Sequence, residues 1–294
     1  MAGPFLIIGG TKFIGPFVVR QLAALGHEAT VYHRGESESD LPASVRHVRS
    51  PAAAMPVRSF PDELFHPPPD TVIHMIPTGE EDARAALAAF SGCARRMIWL
   101  SSGDVYPAYG RFMRIEAGSI DNALLNEDAP LRTVLYPYRA QAKSPDDLMY
   151  SYDKILVERV ALSDPMLPGT VLRLPKVYGP GSNADLATIY QARDHQRWRW
   201  THAYVENVAA AIVLAATHPA ATGRIYNVGE EHTPTIAERL ARLPLSPIPA
   251  LPAGQYNFDQ DIAYDTSRIR RELGYSEAIP EEEGIRRTLS PVLR

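Results

Sequence analysis

The feature that most constrains this chain is the segment Phe5-Leu-Ile-Ile-Gly-Gly-Thr-Lys-Phe-Ile-Gly15. Its four leading apolar residues indicate a buried strand, and the glycine pair that follows indicates a tight turn. Apolar residues then recur at helical spacing from Ile14 to Leu25, and Gly26 ends that pattern. A second strand is predicted over 29–32. Because parallel strands need a crossover helix, this stretch predicts a βαβ unit and therefore a parallel sheet.

Farther along, short apolar runs alternate with helical segments. The pattern predicts strands over 71–76, 97–100, 170–174 and 225–228, and helices over 82–92, 150–161, 205–216 and 266–273. Such alternation is typical of an α/β fold, here a Rossmann-like doubly wound parallel sheet with a smaller C-terminal substrate-binding region.

We expect two domains. Residues 1–174, completed by 203–228, are predicted to form the NAD(P)-binding domain, and 175–202 with 229–294 the substrate-binding region. The polar, proline-containing stretch 107–148 is interpreted as a lid over the site.

Composition excludes several classes of protein. Of the 294 residues, 45% are hydrophobic and 22% charged, which is ordinary for a globular protein. The net charge of −4 offers no basic field to attract nucleic acid or an anionic membrane. The single cysteine, Cys93, fits a reducing compartment, and we expect a soluble cytoplasmic protein. The histidines lack metal-ligand spacing, so no metal is expected.

The glycine turn is predicted to bind a dinucleotide. Between a strand and a helix, such a turn lets the backbone approach a pyrophosphate at the positive end of the helix dipole. Gly9 and Gly15 are the first and last glycines of a GxxGxxG pattern, whose middle position is Lys12. The alternative is a turn that serves only packing. The predicted cofactor-binding residues of the turn are Gly9, Gly10, Thr11, Lys12, Phe13, Ile14 and Gly15.

The end of the second strand bears on the choice of cofactor. An acid usually stands there to bind the adenosine ribose of NAD, but this chain has His33-Arg34-Gly35. Arg34 and Lys12 would suit the 2′-phosphate of NADP, so NADP is predicted in preference to NAD. The alternative is that Arg34 is a solvated loop residue.

Polar residues that could do chemistry follow two later segments. The sequence Leu100-Ser-Ser-Gly-Asp-Val-Tyr106 comes after a strand, so its polar side chains are predicted at the carboxyl edge of the sheet. Tyr150 and Lys154 are predicted on one face of one helix, where the ammonium would favour the phenolate and allow proton exchange. Tyr152 is a competing tyrosine on another face. The alternative is that these are ordinary residues of an amphipathic helix.

These motifs, in this order, resemble the NAD-dependent epimerase/dehydratase family, the extended short-chain dehydrogenases/reductases. The matching stretches are IIGGTKFIG, DTVIHMI, MIWLSSGDVY, YSYDKILVE, VLRLPKVYGPG, AYVENVAAAI and IYNVG. The resemblance implies that Ser102 and Tyr150 are catalytic and that Lys154 also holds the nicotinamide ribose. It places Arg34 at a cofactor position. Homodimers are frequent in the family, so a homodimer is expected.

Three departures from the family pattern concern the substrate. Family dehydratases have Asp-Glu after the catalytic threonine, whereas Gly103-Asp104 follows Ser102 here, which disfavours a sugar dehydratase. Lys176 stands where sugar-nucleotide epimerases have an asparagine that contacts the diphosphate. Asp104 and Lys176 are therefore candidate substrate contacts, and the alternative for Lys176 is simple exposure. The segment 182–200 is short for a nucleotide-sugar site, which favours a smaller substrate.

The function predicted is an NAD(P)-dependent oxidoreductase or epimerase. It would act at a carbonyl or secondary alcohol carbon of a small polar or sugar-like substrate, with Tyr150 as proton donor and acceptor. The alternative is a non-catalytic NAD(P)-binding protein that binds RNA or senses the cofactor, against which the acidic net charge and the Ser/Tyr/Lys set argue. The expected partner is a small molecule, with no nucleic acid and no membrane. The arginines and tryptophans of 193–200 are interpreted as a loop packed on the second domain, with stacking and anion contact left open.

Overall fold

The computed structural model describes residues 3–36, 40–51 and 54–290. The strands are β1 (Phe5–Ile8), β2 (Ala29–His33), β3 (Arg46–Arg49), β4 (Thr71–His74), β5 (Arg96–Ser102), β6 (Gly169–Leu174), β7 (Lys176–Tyr178), β8 (His202–Tyr204) and β9 (Ile225–Asn227). The helices are α1 (Gly15–Ala24), α2 (Glu80–Phe90), α3 (Pro107–Phe112), α4 (Leu148–Ser151), α5 (Lys154–Ala161), α6 (Ala187–Tyr190), α7 (Val205–Thr217), α8 (Ile236–Leu240), α9 (Ser267–Leu273) and α10 (Glu281–Leu289).

A seven-stranded sheet has the order β3-β2-β1-β4-β5-β6-β9. Strand β1 pairs in parallel with β2 on one side and with β4 on the other. The first six positions follow the order typical of dinucleotide-binding sheets, in which the chain reverses direction across the sheet between β1 and β4. The predicted α/β, Rossmann-like fold is confirmed.

The sheet's central strands are buried because helices cover both faces. Every residue of β1 and β4 is buried, as their continuous apolar sequences predict. On α1 the buried side chains include Val18, Val19 and Leu22, which recur at helical spacing and face the sheet. The N-terminal βαβ unit is thus built as predicted.

The chain divides into two compact units. Unit 1 comprises Met1–Ser102, Leu135–Arg173 and Ala209–Tyr226, and unit 2 comprises Gly103–Val134, Leu174–Val208 and Asn227–Arg294. The sequence predicts that 103–134 belongs to the first domain, whereas the structure assigns Gly103–Val134 to unit 2. The stretch interpreted as a lid, 107–148, is therefore shared between the units rather than forming one separate element.

The helix predicted over 150–161 is wrong in one respect. The structure has two helices, α4 and α5, with extended backbone at Tyr152 and Asp153 between them. The reason is capping. The Asp147 carboxylate accepts the Met149 N–H to begin α4, and the Asp153 carboxylate accepts the Ile155 N–H to begin α5. Tyr150 and Lys154 therefore do not share a helix face.

Candidate active site

In the glycine turn after β1, neighbouring atoms leave no room for a side chain at Gly9 or Gly15. Gly9 has φ of +88°, and a Cβ there would lie 2.8 Å from the Ile76 side chain. A Cβ on Gly15 would lie 2.6 Å from the Gly10 carbonyl carbon, so the start of α1 sits directly on the turn. Lys12 projects from the turn, exposed. This is the close strand–turn–helix packing that binding of a pyrophosphate requires.

A cavity of about 110 Å³ lies beside this turn. Gly9 and Thr11 line one side, the end of β2 lines another, and Met55 and Val57 supply apolar surface. An apolar surface next to a glycine turn suits the adenosine half of a dinucleotide. The residues present therefore fit such a cofactor.

The charges at the end of β2 are mostly positive. Arg34 and Glu36 form an ion pair at 2.9 Å and both line the cavity. The His33 and His47 rings meet at 3.1 Å between Nε2 and Nδ1. Burial, together with the neighbouring His47 and Arg49, lowers the pKa of His33. As predicted, no carboxylate stands at the end of β2. A carboxylate nevertheless lines the cavity, that of Glu36, two residues after Arg34.

Lys154 lies at the carboxyl edge of the sheet. Its buried ammonium donates hydrogen bonds to the Pro77 carbonyl, just beyond β4, and to the Leu100 carbonyl of β5, at 3.0 Å for the latter. Ser102 ends β5, two residues after Leu100. Because β1, β4 and β5 are adjacent and parallel, the glycine turn, Lys154 and Ser102 lie along one edge of unit 1.

Buried charged groups hold α5 in place at Glu158, one helical turn after Lys154. The Glu158 carboxylate accepts the Ser101 hydroxyl at 2.6 Å and pairs with Arg173 at 2.7 Å. All three side chains are buried. A buried carboxylate that is fully paired in this way holds α5 against β5 and β6.

The two tyrosines of the YSYDK motif occupy different surroundings. The Tyr152 ring centroid lies 5.6 Å from the Lys154 ammonium, and the ring also packs against Tyr138. The Tyr150 ring lies under the Arg139 guanidinium, 4.6 Å away, and is 36% exposed. Tyr150 lines a cavity of about 470 Å³ in unit 1. The phenol of Tyr150 is thus accessible, while the ring nearer the ammonium belongs to Tyr152.

The two candidate substrate residues belong to unit 2. Asp104 is buried in the 3-10 turn after β5, and its carbonyl accepts the Arg132 Nε–H at 2.7 Å. Lys176 begins β7 and is half-buried, with its ammonium 5.5 Å from the Trp200 ring centroid. Burial lowers the pKa of Lys176. Lys176 is therefore not simply exposed.

An aromatic cavity around Lys176 was not predicted from the sequence. It measures about 240 Å³ and draws rings from α3, from the segment before β8 and from the loop before α9. Two of the rings, Trp198 and Trp200, belong to the segment 193–200 identified from the sequence. Others, Phe112, Tyr256 and Phe258, come from segments distant in sequence, so no spacing pattern could predict that they meet.

The packing interpretation of 193–200 is supported. Trp198 is buried and donates its indole N–H to the Gln260 carbonyl at 2.8 Å, and Arg199 pairs with Asp261 at 2.7 Å.

Comparisons with known proteins agree with this geometry. The family model described as "NAD dependent epimerase/dehydratase family" matches residues 5–229. The chain therefore belongs to the NAD-dependent epimerase/dehydratase family, and no curated protein matched it.

Several solved structures share the fold. MoeE5, in complex with UDP-glucose and NAD, is 20% identical with a TM-score of 0.69, and the match covers 98% of this chain and 97% of that one. TunA, an NAD-dependent NDP-hexosamine 5,6-dehydratase involved in tunicamycin biosynthesis, is 22% identical with a TM-score of 0.69, covering 98% and 96%. The UDP-glucose 4-epimerase of Thermotoga maritima is 17% identical with a TM-score of 0.67, covering 97% of both chains.

Family membership defines the class of enzyme: an NAD(P)-dependent oxidoreductase or epimerase of the extended short-chain dehydrogenase/reductase type. The matched range includes the glycine turn, Ser102, Tyr150 and Lys154. Among the described residues, no helix is long and apolar enough to span a membrane.

Proposed function

We propose that this protein is an NADP-preferring enzyme that oxidises, reduces or epimerises a small polar or sugar-like substrate at a carbonyl or secondary alcohol carbon. The observation that carries the proposal is the placement of Lys154. Its ammonium is fixed by the Pro77 carbonyl, beyond the end of β4, and the Leu100 carbonyl, within β5, on the sheet edge shared by the glycine turn and Ser102.

The cofactor, when bound, supplies or accepts the hydride. The turn from Gly9 to Gly15 would hold its pyrophosphate, and Lys12 with Arg34 would face a 2′-phosphate. The buried Lys154 would hold a ribose and favour the ionised form of a nearby phenol. The Ser102 hydroxyl would donate a hydrogen bond to the substrate oxygen while charge develops there.

Tyr150 is the proposed proton donor and acceptor. It takes the tyrosine position of the family motif and presents an accessible phenol to a cavity large enough for a ligand. Tyr152 is the second candidate, since its ring is the one that lies against the Lys154 ammonium. The two tyrosines are only two positions apart, so a single substitution at each is needed to distinguish them.

The test combines four variants with two measurements. Cofactor affinity is followed by NADPH fluorescence, and turnover by NADPH oxidation with a panel of aldehydes, ketones and sugar-like carbonyl compounds. Tyr150→Phe is expected to abolish turnover and leave cofactor affinity nearly unchanged, because the phenol acts in the transition state. Lys154→Ala is expected to reduce both.

Ser102→Ala is expected to lower turnover less than Tyr150→Phe, because one hydrogen bond to a developing oxyanion contributes about 3–4 kcal/mol. Tyr152→Phe serves as the matched control and is expected to retain activity. Full activity of Tyr150→Phe with loss in Tyr152→Phe would transfer the role to Tyr152. Full activity of both Tyr150→Phe and Tyr152→Phe would refute the proposal that either tyrosine is the proton donor and acceptor.

A further inference from the structure

The aromatic cavity of unit 2 contains one charged group. Of the side chains that line it, Lys176 alone is charged, and among the described residues its ammonium makes no ion pair. Two acids of unit 2 already have cationic partners, Asp261 with Arg199 and Glu230 with Arg239. Partial burial removes part of the water around this ammonium, so a bound anion would gain an attractive charge partner there.

The rings around this cation offer flat surfaces. Phe112 forms the buried floor, stacked between Trp198 at 4.9 Å and Tyr256 at 4.8 Å, with interplanar angles of 12° and 13°. Trp200 and Tyr256 are only half-buried, so part of each ring remains open to a ligand. Such faces bind planar groups by offset stacking or edge-to-face contact.

The size of the cavity limits what it holds. A volume of about 240 Å³ is below the range of roughly 300–1,000 Å³ found for drug-sized ligands. One ring with one anionic substituent suits this volume better than a nucleoside diphosphate does. Thr188 and Gln191 line the remaining side and offer hydrogen-bonding groups.

We propose that this cavity binds a single aromatic ring that carries one carboxylate, with the ring against Trp200 and Tyr256 and the carboxylate on Lys176. If this ligand is the substrate, the proposal rests on the proposed function and narrows the substrate to an aryl carboxylate that also carries the reacting carbonyl or secondary alcohol. The proposal that the cavity binds this ligand does not require the proposed function, because every lining residue belongs to unit 2.

The experiment is calorimetric titration of the intact protein without cofactor. Benzoate is the probe, benzyl alcohol the matched neutral ring, and cyclohexanecarboxylate the matched anion without an aromatic face. Benzoate is expected to bind at least tenfold more tightly than either. Lys176→Met is expected to weaken benzoate at least tenfold and leave benzyl alcohol unchanged, whereas Lys176→Arg, which keeps the charge, is expected to stay within a fewfold of the unmodified protein.

Lys143→Met is the matched control, since Lys143 is exposed in unit 1, and it is expected to change nothing. Absence of benzoate binding, equal affinity in Lys176→Met, or equal binding of cyclohexanecarboxylate would overturn the proposal. Tenfold tighter, Lys176-dependent binding of UMP would overturn it in favour of a nucleotide. If benzoate binds as expected while the cofactor tests fail, the proposed function fails and the site stands.

Discussion

Two charged residues that follow β2, Arg34 and Glu36, line the cavity where we propose that the cofactor binds. The Arg34 guanidinium is offered to the cavity but is already paired with Glu36 at 2.9 Å. A 2′-phosphate would have to displace that carboxylate or share the arginine with it. Arginine binds phosphate through paired N–H donors, so replacing the Glu36 carboxylate by the 2′-phosphate is favourable. Breaking the Arg34–Glu36 ion pair offsets part of the binding free energy that the phosphate contributes.

Variants at these two positions should change the affinity for NADPH and not for NADH. Arg34→Ala is expected to weaken NADPH about tenfold, which corresponds to about 1.4 kcal/mol, because one charge-assisted pair is lost. Glu36→Gln is expected to strengthen NADPH severalfold, because the competing carboxylate is gone. Fluorescence titration measures both.

Arg197→Ala, an exposed arginine of unit 2, controls for the loss of one positive charge. If Arg34→Ala weakened NADH as much as NADPH, Arg34 would be contacting a part that the two cofactors share. The sequence predicted Arg34 because the end of a strand is a recognisable position. It did not predict the pairing with Glu36, because a turn allows many side-chain directions and only the folded backbone selects one.

At the scale of elements, the segment between β5 and β6 shows where periodicity misleads. Residues 150–161 have a helical pattern, yet Asp153 begins a new helix because three of its hydrogen bonds require extended backbone. Its carboxylate accepts the N–H groups of Ile155 at 2.9 Å and Tyr136 at 2.6 Å, and its own N–H donates to the Thr78 carbonyl at 2.9 Å. The partners of Asp153 at Thr78 and Tyr136 could not be predicted from the sequence, since both are remote along the chain.

Asp153→Ala should therefore destabilise unit 1 and displace Lys154. Loss of the cap costs about 1 kcal/mol, and leaving the half-buried Tyr136 N–H without its acceptor adds about 1 kcal/mol. Urea unfolding measures the change in the free energy of unfolding. For Asp153→Asn, which keeps one acceptor oxygen, we expect a free energy of unfolding between those of Asp153→Ala and the unmodified protein.

Asp147→Ala is the comparison variant, because it removes the cap of the four-residue, exposed α4. We expect it to cost less than half as much. Equal effects of the two substitutions would show that Asp153 acts only as a local cap and does not hold the segment in place.

At the scale of the whole molecule, the two units differ in how well the sequence predicts them. Unit 1 has most of its strands and helices in local βαβ order, so hydrophobic periodicity identifies it. Unit 2 is assembled from Gly103–Val134, Leu174–Val208 and Asn227–Arg294, and its aromatic cavity and buried charges join segments far apart in sequence. Such long-range packing leaves no periodic signal.

The buried charges of unit 2 predict a pH dependence of stability. Arg239 is buried and pairs with both Glu230 and Glu281, joining α8 to α10. Burial raises the pKa of the Glu230 carboxyl to about 7, although Arg239 acts in the opposite direction. Between about pH 4.5 and 7 the unfolded chain releases this proton while the folded chain keeps it, so the free energy of unfolding should fall as the pH rises through that window.

Glu230→Gln should remove this dependence, which we expect to amount to about 2 kcal/mol between pH 5 and 8. Urea unfolding at several pH values, compared between the variant and the unmodified protein, isolates the contribution of this carboxyl. Glu282→Gln, at an exposed position on the same helix as Glu281, should leave the dependence unchanged. A dependence that persisted in Glu230→Gln would assign it to another group.

We propose that the glycine turn and the end of β2 bind a dinucleotide that carries a 2′-phosphate. The most direct test of this proposal is the dissociation constants of NADPH and NADH for the unmodified protein, measured by cofactor fluorescence at one ionic strength. We expect NADPH to bind at least tenfold more tightly than NADH, because Lys12 and Arg34 would face the additional phosphate. Equal affinities, or tighter binding of NADH, would contradict it.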